Sequence, residues 1–115
     1  TEDPKAFEER MLADIGMPRE IAMRHRPPHF LHIFAGSGYA AGYYSYMWSE
    51  VLDADAFQAF LDNGDIFDPA TAKNLHEYIY GAGGTRRGRD AYLAFRGRLP
   101  SVDGLLRQRG LSAVA

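Results

Sequence analysis

An all-α fold is predicted by three features of this 115-residue sequence. Two Asp-Pro pairs, Asp3-Pro4 and Asp68-Pro69, place a capping carboxylate before a proline at the first helical position. Apolar residues downstream of each pair recur at helical spacing. No stretch alternates apolar and polar residues with period two and closes in hairpin turn chemistry. Neither an internal repeat nor a linker interrupts the chain, so residues 1–115 read as one segment.

The first helix opens at Pro4, carries Phe7, Met11, Leu12 and Ile15 on one side, and closes at Gly16. A second, short helix is expected over Arg19 to Arg24, ended by Pro27-Pro28, which restrict the residue before them and supply no amide donor. Next comes Ala35-Gly36-Ser37-Gly38, a loop whose two glycines allow positive φ and close backbone approach. A helix is expected from about Tyr39 through Val51, Leu52, Phe57, Phe60 and Leu61 to a stop at Asn63-Gly64. The helix opened by Asp68-Pro69 turns Leu75, Tyr78 and Ile79 inward and ends in Gly81-Ala82-Gly83-Gly84. Another follows with Tyr92, Leu93 and Phe95 and ends near Gly97. Ser101 then caps a last short helix that buries Leu105 and Leu106. Arg107 and Arg109 lie in its final turn, where cations suit the helix dipole, before Gly110.

The stretch His32 to Asp53 holds four of the seven tyrosines and the only tryptophan. On a helix advancing ~100° per residue, Tyr39, Tyr43 and Tyr46 share one side, while Tyr44, Trp48 and Val51 share another and are assigned to the core. Three phenol hydroxyls on one stripe are difficult to satisfy in a dry interior. The stripe is therefore either an aromatic core helix whose hydroxyls reach the surface, or the wall of a polar cleft. Glu50, one turn beyond Tyr46, reads as an ordinary polar or ion-paired side chain, since one carboxylate makes no metal site.

His25, His29 and His32 stand at the spacing of three imidazoles on one helix face, a metal-binding pattern. Pro27 and Pro28 break that helix, and Arg26 stands where a zinc protease of this motif class needs its general-base glutamate, so no metal is assigned to them. His32 itself lies in the apolar run Phe30, Leu31, Ile33, Phe34, where a hydrogen-bonded core histidine and a functional one are both open. The glycine loop is not a phosphate cradle, because no lysine follows it and no strand precedes it.

Composition narrows the function. A formal net charge of −2 gives no electrostatic case for nucleic acid or an anionic membrane, despite the basic run Arg86-Arg87-Gly88-Arg89. The apolar runs are too short to span a bilayer. The absence of cysteine leaves no disulfide framework or thiolate site and agrees with a reducing, cytoplasmic setting; the Thr-Glu-Asp-Pro-Lys start is not a signal peptide.

The run His-Ile-Phe-Ala-Gly-Ser-Gly-Tyr-Ala-Ala-Gly-Tyr-Tyr-Ser-Tyr-Met-Trp-Ser-Glu-Val-Leu-Asp from His32 resembles the C-terminal signature of the thimet oligopeptidase and peptidyl-dipeptidase family of zinc metallopeptidases. The resemblance is closest to the bacterial peptidyl-dipeptidase branch. It extends from Arg24-His25-Arg26-Pro27 to Phe95-Arg96-Gly97-Arg98 and Leu105 to Leu111, essentially the whole chain.

What the resemblance implies is a helical fragment of a larger, mostly helical catalytic domain that hydrolyses short peptides. A His-Glu-x-x-His helix holds zinc in that family, and this sequence contains none. The chain is therefore expected to be a C-terminal piece, inactive alone, with zinc and its ligands in an upstream part of the same polypeptide. The resemblance assigns Tyr39 and Tyr46 to substrate and transition-state contacts, with His32 and the flexing loop at Gly36 and Gly38 on the substrate; Tyr43 ranks behind them as a substrate contact, because the same stripe includes it. A lobe cut from a larger domain should also expose an apolar face of several hundred Å² or more, through which it would self-associate. The residues alone leave another reading open, a free-standing helical module that binds peptide main chain without catalysis.

Overall fold

The computed structural model describes residues 2–111, and among them every regular element is helical. The chain forms two compact units, Thr1–Ala40 and Ala41–Ala115. No helix among the described residues is long and apolar enough to cross a membrane.

In the first unit, α1 (Pro4–Asp14) starts as expected: the Asp3 carboxylate accepts the amides of Lys5 and Ala6, both at 3.0 Å. It closes through Gly16, whose amide reaches Ala13 O at 3.0 Å while that of Met17 reaches Leu12 O at 2.9 Å. This paired closure needs a left-handed residue, and Gly16 supplies it at φ +74°. The apolar side of α1 and the residues Met23, Pro27 and Pro28 line a groove of about 440 Å³. Arg26 clips its segment to α1 through Nε, which donates to both Glu8 carboxylate oxygens at 2.8 and 3.0 Å.

The helix expected over residues 19–24 does not form. That segment is a string of turns, with Ile21 N reaching Pro18 O at 3.1 Å. Trapped between Pro18 and Pro27, it is too short for its hydrogen bonds to offset the cost of nucleation. Pro27–His29 instead makes a single 3₁₀ turn, followed by the one-turn helix α2 (Leu31–Phe34).

In the second unit the long helix α3 runs Ser45–Asp62, beginning six residues later than the tyrosine spacing predicts. The cause lies just upstream. Ala41 adopts φ +54°, which an α-helix cannot contain, and residues 42–46 wind in through i→i+3 turns. The expected stop holds, with Gly64 at φ +76°.

Asp68 caps α4 (Pro69–Leu75) by accepting the Thr71 amide at 2.7 Å, which, with the Thr71 hydroxyl, holds its carboxyl below the usual range. The helix then widens into a π turn over His76–Tyr80, closed by Gly81 N to His76 O at 2.6 Å. A Cβ at Gly81 would stand 3.0 Å from that same oxygen, so the widened turn selects glycine. α5 (Gly88–Arg96) ends at Gly97, φ +71°, and α6 (Asp103–Gln108) is the last helix among the described residues. Ser101 is one residue short of the cap position, which Val102 occupies; its Oγ still accepts the Asp103 amide at 3.1 Å.

The core of this unit is Val51, Ala54 and Ala59 of α3 against Ala82 and against Ala91, Tyr92 and Phe95 of α5. α6 packs on α3 at Gly104, where an added Cβ would lie 3.0 Å from the carbonyl carbon and oxygen of Ala54. Leu105 and Leu106 are half-buried beside it.

Candidate functional site

The residues singled out by the sequence fall into two groups, one in each unit. In the first, α2 carries His32 just after Phe30, and the glycine loop brings Tyr39 back to it, the two rings 4.6 Å apart and inclined at 41°. Phe30 lies 6.4 Å from His32 and stacks on His25 at 4.6 Å. His25, Phe30, His32 and Tyr39 thus form a run of four rings. Sequence spacing misses His25 and Phe30, because the turn at Pro27–His29 that folds them together is local backbone geometry.

Between His32 and Tyr39, Gly36 and Gly38 behave differently from expectation. Neither adopts positive φ, and among the described residues nothing lies within 4 Å of a Cβ built on either. Their backbone is open, and the left-handed residue of this stretch is Ala41.

In the second unit, Tyr43 and Tyr46 meet at the start of α3, rings 5.0 Å apart and inclined at 52°. They are brought together by the turn that joins Tyr46 N to Tyr43 O at 3.4 Å. Because Tyr39 and Tyr43 precede α3, which starts at Ser45, the three phenols are not a stripe on one face of that helix. His32 meets Tyr39 in the first unit, and Tyr43 meets Tyr46 in the second. Nor are Tyr44 and Trp48 core residues: they are 72% and 55% exposed, as is Met47 beside them. Glu50 is ion-paired, to Arg109.

Behind this exposed start of α3 lies a polar centre that sequence reasoning did not find. Asp55 is 2% exposed and uses both carboxylate oxygens. Oδ2 accepts the Tyr92 hydroxyl at 2.6 Å and Arg96 Nε at 3.4 Å. Oδ1 accepts Arg98 Nη2 at 2.8 Å and the Ser101 amide at 3.2 Å. Burial pushes this carboxyl up, but the hydrogen bonds from Tyr92, Arg98 and Ser101 and the Arg98 charge outweigh it, leaving it below the usual range. Burial, then the bond and charge of Asp55, push the Tyr92 phenol well above its ordinary value. Arg96 also reaches Asp62 at 3.2 Å, one of the contacts, with Gln58, that keeps the Asp62 carboxyl low. The one sequence signal was a charged residue inside an apolar helical stripe, between Val51 and Ala59.

Among the described residues no three His, Cys, Asp or Glu side chains converge to hold a metal ion. Asp55 is consumed by its four donors, and His25 and His32 lie against aromatic rings. The donors present do not fit a zinc site. Each pair by itself offers hydrogen-bonding groups suited to a main chain carrying carbonyl oxygens: imidazole and phenol beside open glycine backbone in the first unit, and two phenols in the second.

Compared with known proteins, residues 4–111 match the model of peptidase family M3. Oligopeptidase A of Haemophilus influenzae is 52% identical over 75% of this chain, a stretch that makes up 12% of that protein. A probable cytosolic oligopeptidase A of Arabidopsis thaliana is 51% identical over 75% of the chain and 13% of its own length. A dipeptidyl carboxypeptidase of Salmonella typhimurium is 36% identical over 91% of the chain and 15% of its own length. The chain therefore spans a small part, 12–15%, of these relatives.

Proposed function

Since this chain belongs to peptidase family M3, we propose that it is the C-terminal wall of the peptide-binding cleft in a zinc-dependent oligopeptidase of the peptidyl-dipeptidase type. The observation that carries this reading is that the family match, residues 4–111, spans both ring pairs. The relatives named as oligopeptidases and as a dipeptidyl carboxypeptidase support short peptides as substrate. Zinc and its ligands belong to an upstream part of the parent polypeptide, and no residue of this chain is assigned to them. The parent works in the cytoplasm, a reading supported by the plant relative described as cytosolic.

Hydrolysis of a peptide puts negative charge on the carbonyl oxygen as water adds to the carbon. Donors aimed at that oxygen lower the barrier because the charge they meet exists only on the way to products. A phenol suits the task, since it donates a hydrogen bond and is neutral at pH 7, with an ordinary pKa of about 10. Tyr39 and Tyr46 take this role, one from each ring pair. His32 and Tyr43 lie against them and hold substrate, and the open backbone at Gly36 and Gly38 lets an extended peptide approach. The exposed apolar residues Tyr44, Met47 and Trp48 face the rest of the parent chain, and in an isolated fragment they drive self-association.

The test is to purify the full-length product carrying this segment and measure its metal content and its cleavage of quenched fluorescent peptides. About one zinc per chain and chelator-sensitive cleavage are expected. A metal-free product near 12.9 kDa that binds peptides without cutting them would replace the enzyme with a free-standing peptide-binding module.

A further inference from the structure

A carboxylate at 2% exposure is costly unless every oxygen is paired, and Asp55 meets that cost with donors from separate parts of the chain. Tyr92 and Arg96 come from α5, while Arg98 and Ser101 come from the segment leading into α6. Gly104 brings the α6 backbone against Ala54 at the same level of α3. The middle of α3 is therefore clamped on one side by three elements. Its first turn is held differently: Tyr44 stands at the cap position, and among the described residues no side chain caps the helix there.

Tyr46 and Asp55 are separated by about two and a half turns, roughly 14 Å along the axis, and lie on opposite faces. Accordingly Asp55 points into the unit and Tyr46, 54% exposed, points out. A helix is stiff over that distance, so the clamp at Asp55 sets where the start of α3 projects its rings. We infer that Asp55 is a positioning residue for Tyr46, acting through α3 without touching substrate. This inference rests on the reading of Tyr46 as a substrate-contacting phenol.

A double-mutant cycle in the full-length peptidase tests it, with kcat and KM measured for Asp55→Asn, Tyr46→Phe and the pair. Tyr46→Phe alone should lower kcat ~100-fold or more. Asp55→Asn should lower kcat by ~10- to 100-fold, the size of effect that misplacing a catalytic group produces, with KM changed less than ~3-fold. In the Tyr46→Phe background the same Asp55 substitution should cost less than ~3-fold, because the group it positions is gone. Equal losses in both backgrounds would overturn the positioning role and leave Tyr46 in place. Normal turnover by Tyr46→Phe would remove the underlying reading, and this inference with it. Tyr92→Phe deletes the 2.6 Å bond but keeps the ring and the Arg98 pair. Should Asp55→Asn not fold, Tyr92→Phe takes its place, with a kcat loss of ~3- to 10-fold expected and the same dependence on Tyr46.

Discussion

The Tyr92 hydroxyl donates a 2.6 Å hydrogen bond to Asp55 Oδ2, joining α5 to the middle of α3 across 37 residues of sequence. A hydrogen bond to a charged group contributes about 1.5–3 kcal/mol, more than most single contacts in a unit this small. Tyr92→Phe should destabilise the protein by ~2 kcal/mol, read as a lower urea midpoint at unchanged slope.

The same pair gives stability a pH window. Asp55 is held below its ordinary value, so its contribution is complete above an unfolded pKa of ~3.9 and is lost as pH falls through the folded value. Tyr92 is held above its ordinary value, so its contribution is complete below ~10 and is lost as pH rises beyond that. Urea midpoints should form a plateau between these limits and fall on both sides. Tyr92→Phe should flatten the alkaline fall, since no phenol remains there to ionise.

Packing of α6 predicts a contrast among glycines. Gly104→Ala drives a Cβ to within 3.0 Å of the Ala54 backbone, and it should cost ~1–3 kcal/mol by forcing α6 away from α3. Gly36→Ala meets open space at an ordinary φ, so it should leave stability unchanged or raise it by up to ~1 kcal/mol. A fall in peptide turnover by Gly36→Ala, with its thermal midpoint intact, would then report on substrate approach at the loop.

Not every ion pair carries weight. Glu50 and Arg109 are both about half exposed, and screening and side-chain entropy offset most of their attraction. Arg109→Ala should shift stability by less than ~1 kcal/mol, well below the effect of Tyr92→Phe.

Helix boundaries were legible wherever a cap chemistry is written into adjacent residues. Asp3-Pro4, Asp68-Pro69, Gly64 and Gly97 all stand where the backbone needs them. The start of α3 was not legible, because apolar and tyrosine spacing continues smoothly through Ala41 and nothing in an alanine announces φ +54°. Tyr39 meets His32 and Tyr43 meets Tyr46, pairings that depend on turns that spacing cannot express. Trp48 was assigned to the core because it shares a side of the helix with Val51; Val51 is buried there, but one turn earlier Trp48 is 55% exposed at the edge of a groove shared with Leu52, Tyr92, Leu99 and Pro100. Asp55 was missed for a different reason. Its donors stand 37 to 46 residues away, and no local pattern links Arg98 or Ser101 to the middle of α3.

In the proposed function, the phenol of Tyr46 donates to the carbonyl oxygen of a bound peptide. The most direct measurement is kcat for Tyr46→Phe in the full-length peptidase, with zinc content determined on the same preparation. A fall of ~10²- to 10³-fold in kcat with unchanged zinc is the predicted result. Turnover close to that of the unmodified enzyme would contradict the claim and return Tyr46 to the surface of α3 as an ordinary aromatic residue.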